Sequence, residues 1–169
     1  SKIVSDVVSL GADGKKVGVI STINGDANIG FYKELAASGI KADDIPVVAF
    51  SVGEEELSGL DTKNLVGHLA AWNYFQSAES DLNTNFIQKW KNKMGNKRVT
   101  NDPMEAHVIG FEMYVKAVEK AGTTDVDAVR KAMYGIKVPN LTGGIAEMLP
   151  NHHLTKPVLI GEIKADGQF

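Results

Sequence analysis

Two short polar stretches carry the side chains best placed to hold a small molecule. Ser21-Thr22-Ile23-Asn24-Gly25-Asp26 follows an apolar run that reads as a strand and precedes apolar residues at helical spacing. In open α/β sheets, ligands settle at the C-terminal ends of strands, where free backbone N–H groups receive a polar or anionic group. The same stretch reads equally well as a capped helix start. It lacks both G-x-G-x-x-G and G-x-x-x-x-G-K-[ST], which argues against a nucleotide. Ser51-Val52-Gly53-Glu54-Glu55-Glu56 follows the next apolar run. Glutamates in a first helical turn complement the helix dipole, and that accounts for most of the three. Glu54 is the one we expect to face a cleft and accept hydrogen bonds from an amide or ammonium group.

Other chemistries find no support. Asn151-His152-His153 places two histidines side by side, but neighbours in an extended segment point to opposite sides and chelate one ion poorly. His68 and His107 stand alone, without H-E-x-x-H spacing. There is no G-x-S-x-G elbow. The chain has no cysteine, which removes thiolate metal sites, disulfides and a cysteine nucleophile. Its 21 acidic residues supply carboxylate pairs, yet no spacing singles one out. We therefore expect a protein that is not an enzyme, with no metal and no cofactor. Trp72-Asn73-Tyr74-Phe75 is the densest aromatic cluster, suited either to a small-ligand cleft or to packing at a domain junction.

The elements that position these residues alternate in the first half. Ile3, Val7, Val8 and Leu10 predict a helix stopped near Gly11, and Asp13-Gly14 a turn. Lys16 to Ser21 reads as a buried strand, and Ile29, Tyr32, Leu35 and Ala36 as a helix ending at Gly39. Ile45 to Phe50 is a second strand, Glu54 to Leu57 a brief helix, and Leu65 to Ala71 a third strand. This rhythm argues for a parallel sheet flanked by helices. The second half is more helical. Leu82, Phe86, Ile87 and Trp90 mark one helix. Asp102-Pro103-Met104-Glu105 opens another, with Asp102 as cap and Glu105 reaching back to it. Met104, Val108, Phe111, Val115 and Val118 form its apolar stripe. Asp125 opens a third helix through Met133, and Gly144–Leu149 and Pro157–Ala165 read as two strands. Asp166-Gly167 is a hairpin turn followed by only two residues, so we expect the chain to stop inside a supersecondary unit.

The 169 residues suit one domain or pieces of two. With 43% hydrophobic and 23% charged residues, composition is that of a globular fold. A net charge of -3 gives no electrostatic footprint for nucleic acid. No stretch approaches the roughly 18–20 apolar residues of a membrane helix. The chain begins with Ser rather than Met, so we expect a processed or truncated start.

Several literal segments together resemble the urea-type substrate-binding proteins of ABC transporters. They are Ser21–Asp26, Ala49-Phe50-Ser51-Val52-Gly53-Glu54-Glu55-Glu56, Gly67-His68-Leu69-Ala70-Ala71-Trp72-Asn73-Tyr74, Thr100-Asn101-Asp102-Pro103-Met104-Glu105-Ala106, Pro139-Asn140-Leu141-Thr142-Gly143-Gly144, and Met148-Leu149-Pro150-Asn151-His152-His153. These belong to the type I periplasmic binding proteins, whose relatives bind branched-chain amino acids and short amides. The similarity spans essentially the whole chain.

The resemblance implies two α/β lobes with ligand clamped between them, here in an incomplete two-lobe architecture. It assigns residues 1–71 to the second lobe. Residues 72–141 become the hinge crossover, through Trp72, Asn73 and Tyr74, with first-lobe helices. Residues 142–169 become return strands. It points to Thr22, Asn24 and Asp26 in the first loop as ligand contacts. Ser51, Val52 and Glu54 follow in the second loop, with Met104 and Glu105 at a helix start. Where relatives carry an aromatic in the first loop, this sequence has Asn24, a smaller polar contact that suits urea. The partners implied are a small ligand, urea or a short amide, and a membrane ABC permease, with a periplasmic location. A branched-chain amino acid binder and an amide-sensing regulator are the alternatives. The same incompleteness leads us to expect exposed apolar faces, self-association and weak or absent ligand binding by this chain alone.

Overall fold

The computed structural model describes residues 2–12 and 14–169. The expected Asp13-Gly14 turn thus has Asp13 outside the described residues. The chain divides into two compact units, Ser1–Ser77 with Val158–Phe169, and Ala78–Pro157.

The first unit is built on four strands: β1 (Val19–Ser21), β2 (Val47–Ala49), β3 (Leu69–Trp72) and β7 (Leu159–Glu162), in that spatial order. β1, β2 and β3 are parallel, and β7 returns antiparallel to β3. β1 is shorter than the expected run from Lys16. Pro46 precedes β2 and has no N–H to donate; its carbonyl accepts from Val19 N–H at 2.8 Å, where pairing begins. β3 starts later than expected as well. Thr62–Leu65 winds into a 3-10 helix capped by Asp61, whose carboxylate accepts from Lys63 N–H. Gly67, at φ +90°, then turns the chain into the strand.

Helices α1 (Lys2–Gly11), α2 (Ala27–Ala37) and α3 (Glu54–Leu57) complete this unit. Phe31, Tyr32 and Leu35 of α2 pack with Val4 and Val7 of α1 and with Val47, Ala49 and Ala70 of the sheet. α2 ends where expected, with Gly39 at φ +74°. The opposite face of the sheet is open: Ile20 and Ile160 are 73% and 64% exposed. The last residues fold back onto this unit. Phe169 lies against Phe75 with ring centroids 4.4 Å apart, and Gln76 Nε2 donates to Gln168 Oε1 at 2.9 Å.

The second unit holds α4 (Asp81–Met94), α5 (Asp102–Ala121) and α6 (Val126–Met133) with an antiparallel meander of β4 (Lys137–Pro139), β5 (Ile145–Met148) and β6 (Leu154–Thr155). The Gly144–Leu149 strand was expected to return with residues 142–169 to the lobe of residues 1–71. It pairs locally instead, Val138 opposite Ala146. Asn140 tightens the connecting hairpin, its Oδ1 accepting from the Thr142 N–H and hydroxyl, and Gly143 and Gly144 supply positive φ. Residues 142–157 therefore belong with α4–α6, and the first unit continues to Ser77 rather than stopping at 71.

Two expectations for α5 are corrected. The cap is Asn101, whose Oδ1 accepts from Met104 N–H at 3.0 Å, because Asp102 is already the first helical residue. The buried stripe is Glu105, Ile109, Met113 and Ala117, packed with Val129, Val138, Ala146 and Met148. Phe111 in the expected stripe is 66% exposed. α5 is apolar on two sides, and α6 and the meander cover only one of them.

Candidate functional site

The loops that leave β1 and β2 meet at the C-terminal end of the parallel strands. Ser21 ends β1 buried, and its Oγ accepts from Ile23 N–H at 3.4 Å. Thr22, Asn24 and Asp26 stand exposed around Ile23. The second loop runs from Phe50, whose N–H donates to Ser21 O at 3.2 Å. Ser51 is half-buried and Val52 wholly buried. Gly53 N–H donates to Glu56 Oε2 at 2.9 Å, so Glu56 caps the helix start rather than facing a ligand. A side-chain carbon at Gly53 would lie 3.4 Å from the Trp72 ring, which props this loop.

Glu54 does not present its carboxylate to solvent: it is 2% exposed. Burial pushes its carboxyl up to about 7, with a further push from Glu56. The backbone amides of Glu54, Gln76 and Ser77 pull it back in part. Neither oxygen reaches a partner at full hydrogen-bond geometry among the described residues. Two other buried ionisable groups of this unit lie away from the loops, His68 at the N-terminal end of the parallel strands and Tyr32 on α2. His68 accepts the Val47 N–H at Nδ1, 3.1 Å away, and desolvation lowers its pKa and keeps it neutral. The Tyr32 hydroxyl is buried, and desolvation raises its pKa.

Sequence reasoning missed Asn28. It is fully buried, and its Nδ2 donates to Ile23 O at 2.9 Å and to Ser51 O at 3.2 Å, one carbonyl from each loop. A signal was present. Asn28, Phe31, Tyr32 and Leu35 form one i, i+3, i+4, i+7 stripe, and an amide on such a stripe must find hydrogen bonds inside.

The remaining candidates lie elsewhere. Trp72 and Asn73 are half-buried and Tyr74 is buried, all within the first unit and before the Ser77–Ala78 boundary. Met104 and Glu105 belong to the second unit. Met104 lines an open apolar pocket of about 400 Å³ with Phe86, Trp90, Pro103, His107 and Val108. Glu105 is fully buried and engaged by Lys156 Nζ, which is itself largely buried. Burial raises the Glu105 carboxyl, Lys156 pulls it back, and Asp102 adds to the rise. Glu105 is thus spent on an internal ion pair. His152 Nε2 lies 2.9 Å from the Tyr134 hydroxyl. Among the described residues, no group of three or more His, Asp or Glu is placed to hold a metal ion. No helix of the described residues is long and apolar enough to cross a membrane.

Helices packed on a mixed, largely parallel sheet, with polar loops gathered at its C-terminal end, make this the α/β type I fold of periplasmic binding proteins. The sequence matches the periplasmic binding protein domain across residues 1–169, and the chain belongs to that family. An amino acid ABC transporter substrate-binding protein from Pseudomonas fluorescens Pf-5 superposes with a TM-score of 0.79 at 18% identity, over 99% of this chain and 45% of that one. The Leu/Ile/Val-binding protein homolog 6 of Brucella melitensis is 25% identical over 147 residues, which is 85% of this chain and 37% of that protein. A protein named limonene hydroxylase, from Geobacillus stearothermophilus, is 31% identical over 110 residues, 65% of this chain and 20% of that protein. The chain thus spans less than half of each of these proteins.

Proposed function

We propose that this chain is part of the substrate-binding component of an ABC importer, a binder rather than an enzyme, that captures urea or a short-chain amide in a cleft and delivers it to a membrane permease from the periplasm. The observation that carries the reading is the first loop. Thr22, Asn24 and Asp26 offer short hydroxyl, amide and carboxylate groups at the end of the parallel strands, with Ser51 beside them on the second loop. Urea has one acceptor oxygen and four N–H donors, and such groups pair with both kinds. Each buried group left unpaired would cost about 1–3 kcal/mol. Family membership supports the binding role. Trp72, Asn73 and Tyr74 keep their proposed place as the hinge, and Met104 stays a candidate contact.

The second reading is a binder of branched-chain amino acids, favoured by the Brucella relative. An amide-sensing regulator is the same site with a different partner. We also propose that this chain is a portion of a longer binding protein, as its span of 45% of the Pseudomonas chain supports. Binding by the chain alone is then weak, and the test must read weak binding. In ¹⁵N–¹H spectra, millimolar urea and acetamide are expected to move the amide signals of Thr22–Asp26 and Ser51–Glu54 and few others. Leucine moving the same signals at lower concentration would replace the urea reading with the second one. No shift in either loop with any of the three would remove both loops from the site.

A further inference from the structure

We infer that Asn28 is the positioning residue that sets the spacing of the two loops, and so the shape offered to a ligand. The inference rests on the reading of these loops as the contact surface. Both N–H bonds of its amide are used, one on Ile23 O at 2.9 Å and one on Ser51 O at 3.2 Å, and the side chain is fully buried. These carbonyls lie in loops that follow different strands, and Asn28 sits 23 residues before Ser51. The Ile23 residue is held from both ends, its N–H by Ser21 Oγ and its carbonyl by Asn28. Holding Ile23 fixes the directions in which Thr22 and Asn24, its exposed neighbours, leave the backbone. Holding Ser51 O does the same for the Ser51 side chain. Helix α2 is anchored in the core through Phe31, Tyr32 and Leu35, so the amide is mounted on a rigid element rather than on either loop.

The chemistry demands a donor on both sides. Aspartate has nearly the same shape, but its carboxylate turns two attractive contacts into two repulsive ones. Protonation gives one donor back. Asn28→Asp therefore makes the brace sensitive to pH, which a volume-filling role would not. The test is amide hydrogen exchange of the full chain, expressed as protection factors at pH 5 and pH 8. Wild type at the same two pH values is the reference, because Asp26 at the end of the first loop, Glu54 and Glu56 on α3 and Tyr32 on α2 carry ionisable groups too. At pH 8, N28D is expected to lose about tenfold in protection in both loops together, with Tyr32–Ala37 unchanged, and to regain part of it at pH 5.

A loss in one loop only, no loss, or a loss across the unit that acid does not reverse would overturn the brace. If N28D does not fold, wild type carries the test. Protected amides in the two loops should then share one opening, with protection within about tenfold and the same dependence on dilute guanidinium. Independent openings would overturn it. Exchange needs no ligand, so the brace and the urea reading fail separately. Coupled loops without urea shifts would sink only the ligand, and urea shifts with uncoupled loops would sink only the brace.

Discussion

Glu54 holds a proton that ordinary glutamates have lost by neutral pH, and this has a cost. Its native value near 7, against an ordinary value of 4.5, means that the folded chain binds the proton more tightly than the unfolded one. The unfolded chain releases its proton first as pH rises. Stability is therefore full below about pH 4.5 and falls up to about pH 7, by on the order of 3 kcal/mol. Glu54→Gln keeps the shape and removes the titration. In thermal melts the variant and wild type should agree near pH 4.5, and the variant should melt higher at pH 8. Equal melting at both pH values would mean that the carboxylate is satisfied when charged. Glu54 was legible as chemistry in the sequence, but not as a buried group, because a run of three glutamates looks solvated. Asn28 was overlooked for the opposite reason. An asparagine near a helix start passes for a cap, and only its place in register with Phe31, Tyr32 and Leu35 reveals it as interior.

α5 shows why an element can be legible while its orientation is not. Its start at Asp102-Pro103 and its stop before Gly122 were readable, since both follow from local backbone chemistry. Which side it buries depends on neighbours far along the chain, and Met104–Val118 and Glu105–Ala117 are both plausible apolar stripes at helical spacing. The deciding group is Glu105, a charge no apolar count would place inside, stabilised there by Lys156. Breaking one partner of such a pair strands the other. Lys156→Met is expected to destabilise the second unit by about 3–5 kcal/mol, and adding Glu105→Gln should recover most of that. Guanidinium unfolding followed by Trp90 fluorescence, in a Trp72→Phe background, reads this unit alone, since the chain has two tryptophans, one in each unit. If the double variant is no better than the single one, Lys156 stabilises through something other than Glu105.

At the level of the molecule, each unit shows solvent a side that soluble domains usually cover. Ile20 and Ile160 lie open on the sheet, and Phe111, Tyr114 and Val115 on α5. Largely parallel sheets are normally packed on both faces, and patches of this kind mark contacts. We expect sedimentation equilibrium to give a mass that rises with concentration above 18.2 kDa, and Ile20→Lys or Phe111→Glu to lower it. A monodisperse monomer would refute the self-association. The fold class was legible because the βαβ rhythm of residues 16–71 is written in local periodicity. The partition into units was not, because a hairpin at Asn140–Gly144 and a long-range return are equally compatible with the strand pattern there.

The first unit is assembled from two segments that flank the second unit in sequence, and this puts its completion under the control of synthesis. β7 is made only after residues 78–157, yet it pairs with β3, and the Phe169 ring closes on Phe75. Until residues 158–169 leave the ribosome, β3 is an unguarded edge and Phe75 lacks its cover. Residues 78–157 meet no such delay, since their contacts with one another are contiguous in sequence. A nascent chain therefore carries a finished insert inside an unfinished host, and the loop that β7 must close is shortened in advance by the insert that has already folded.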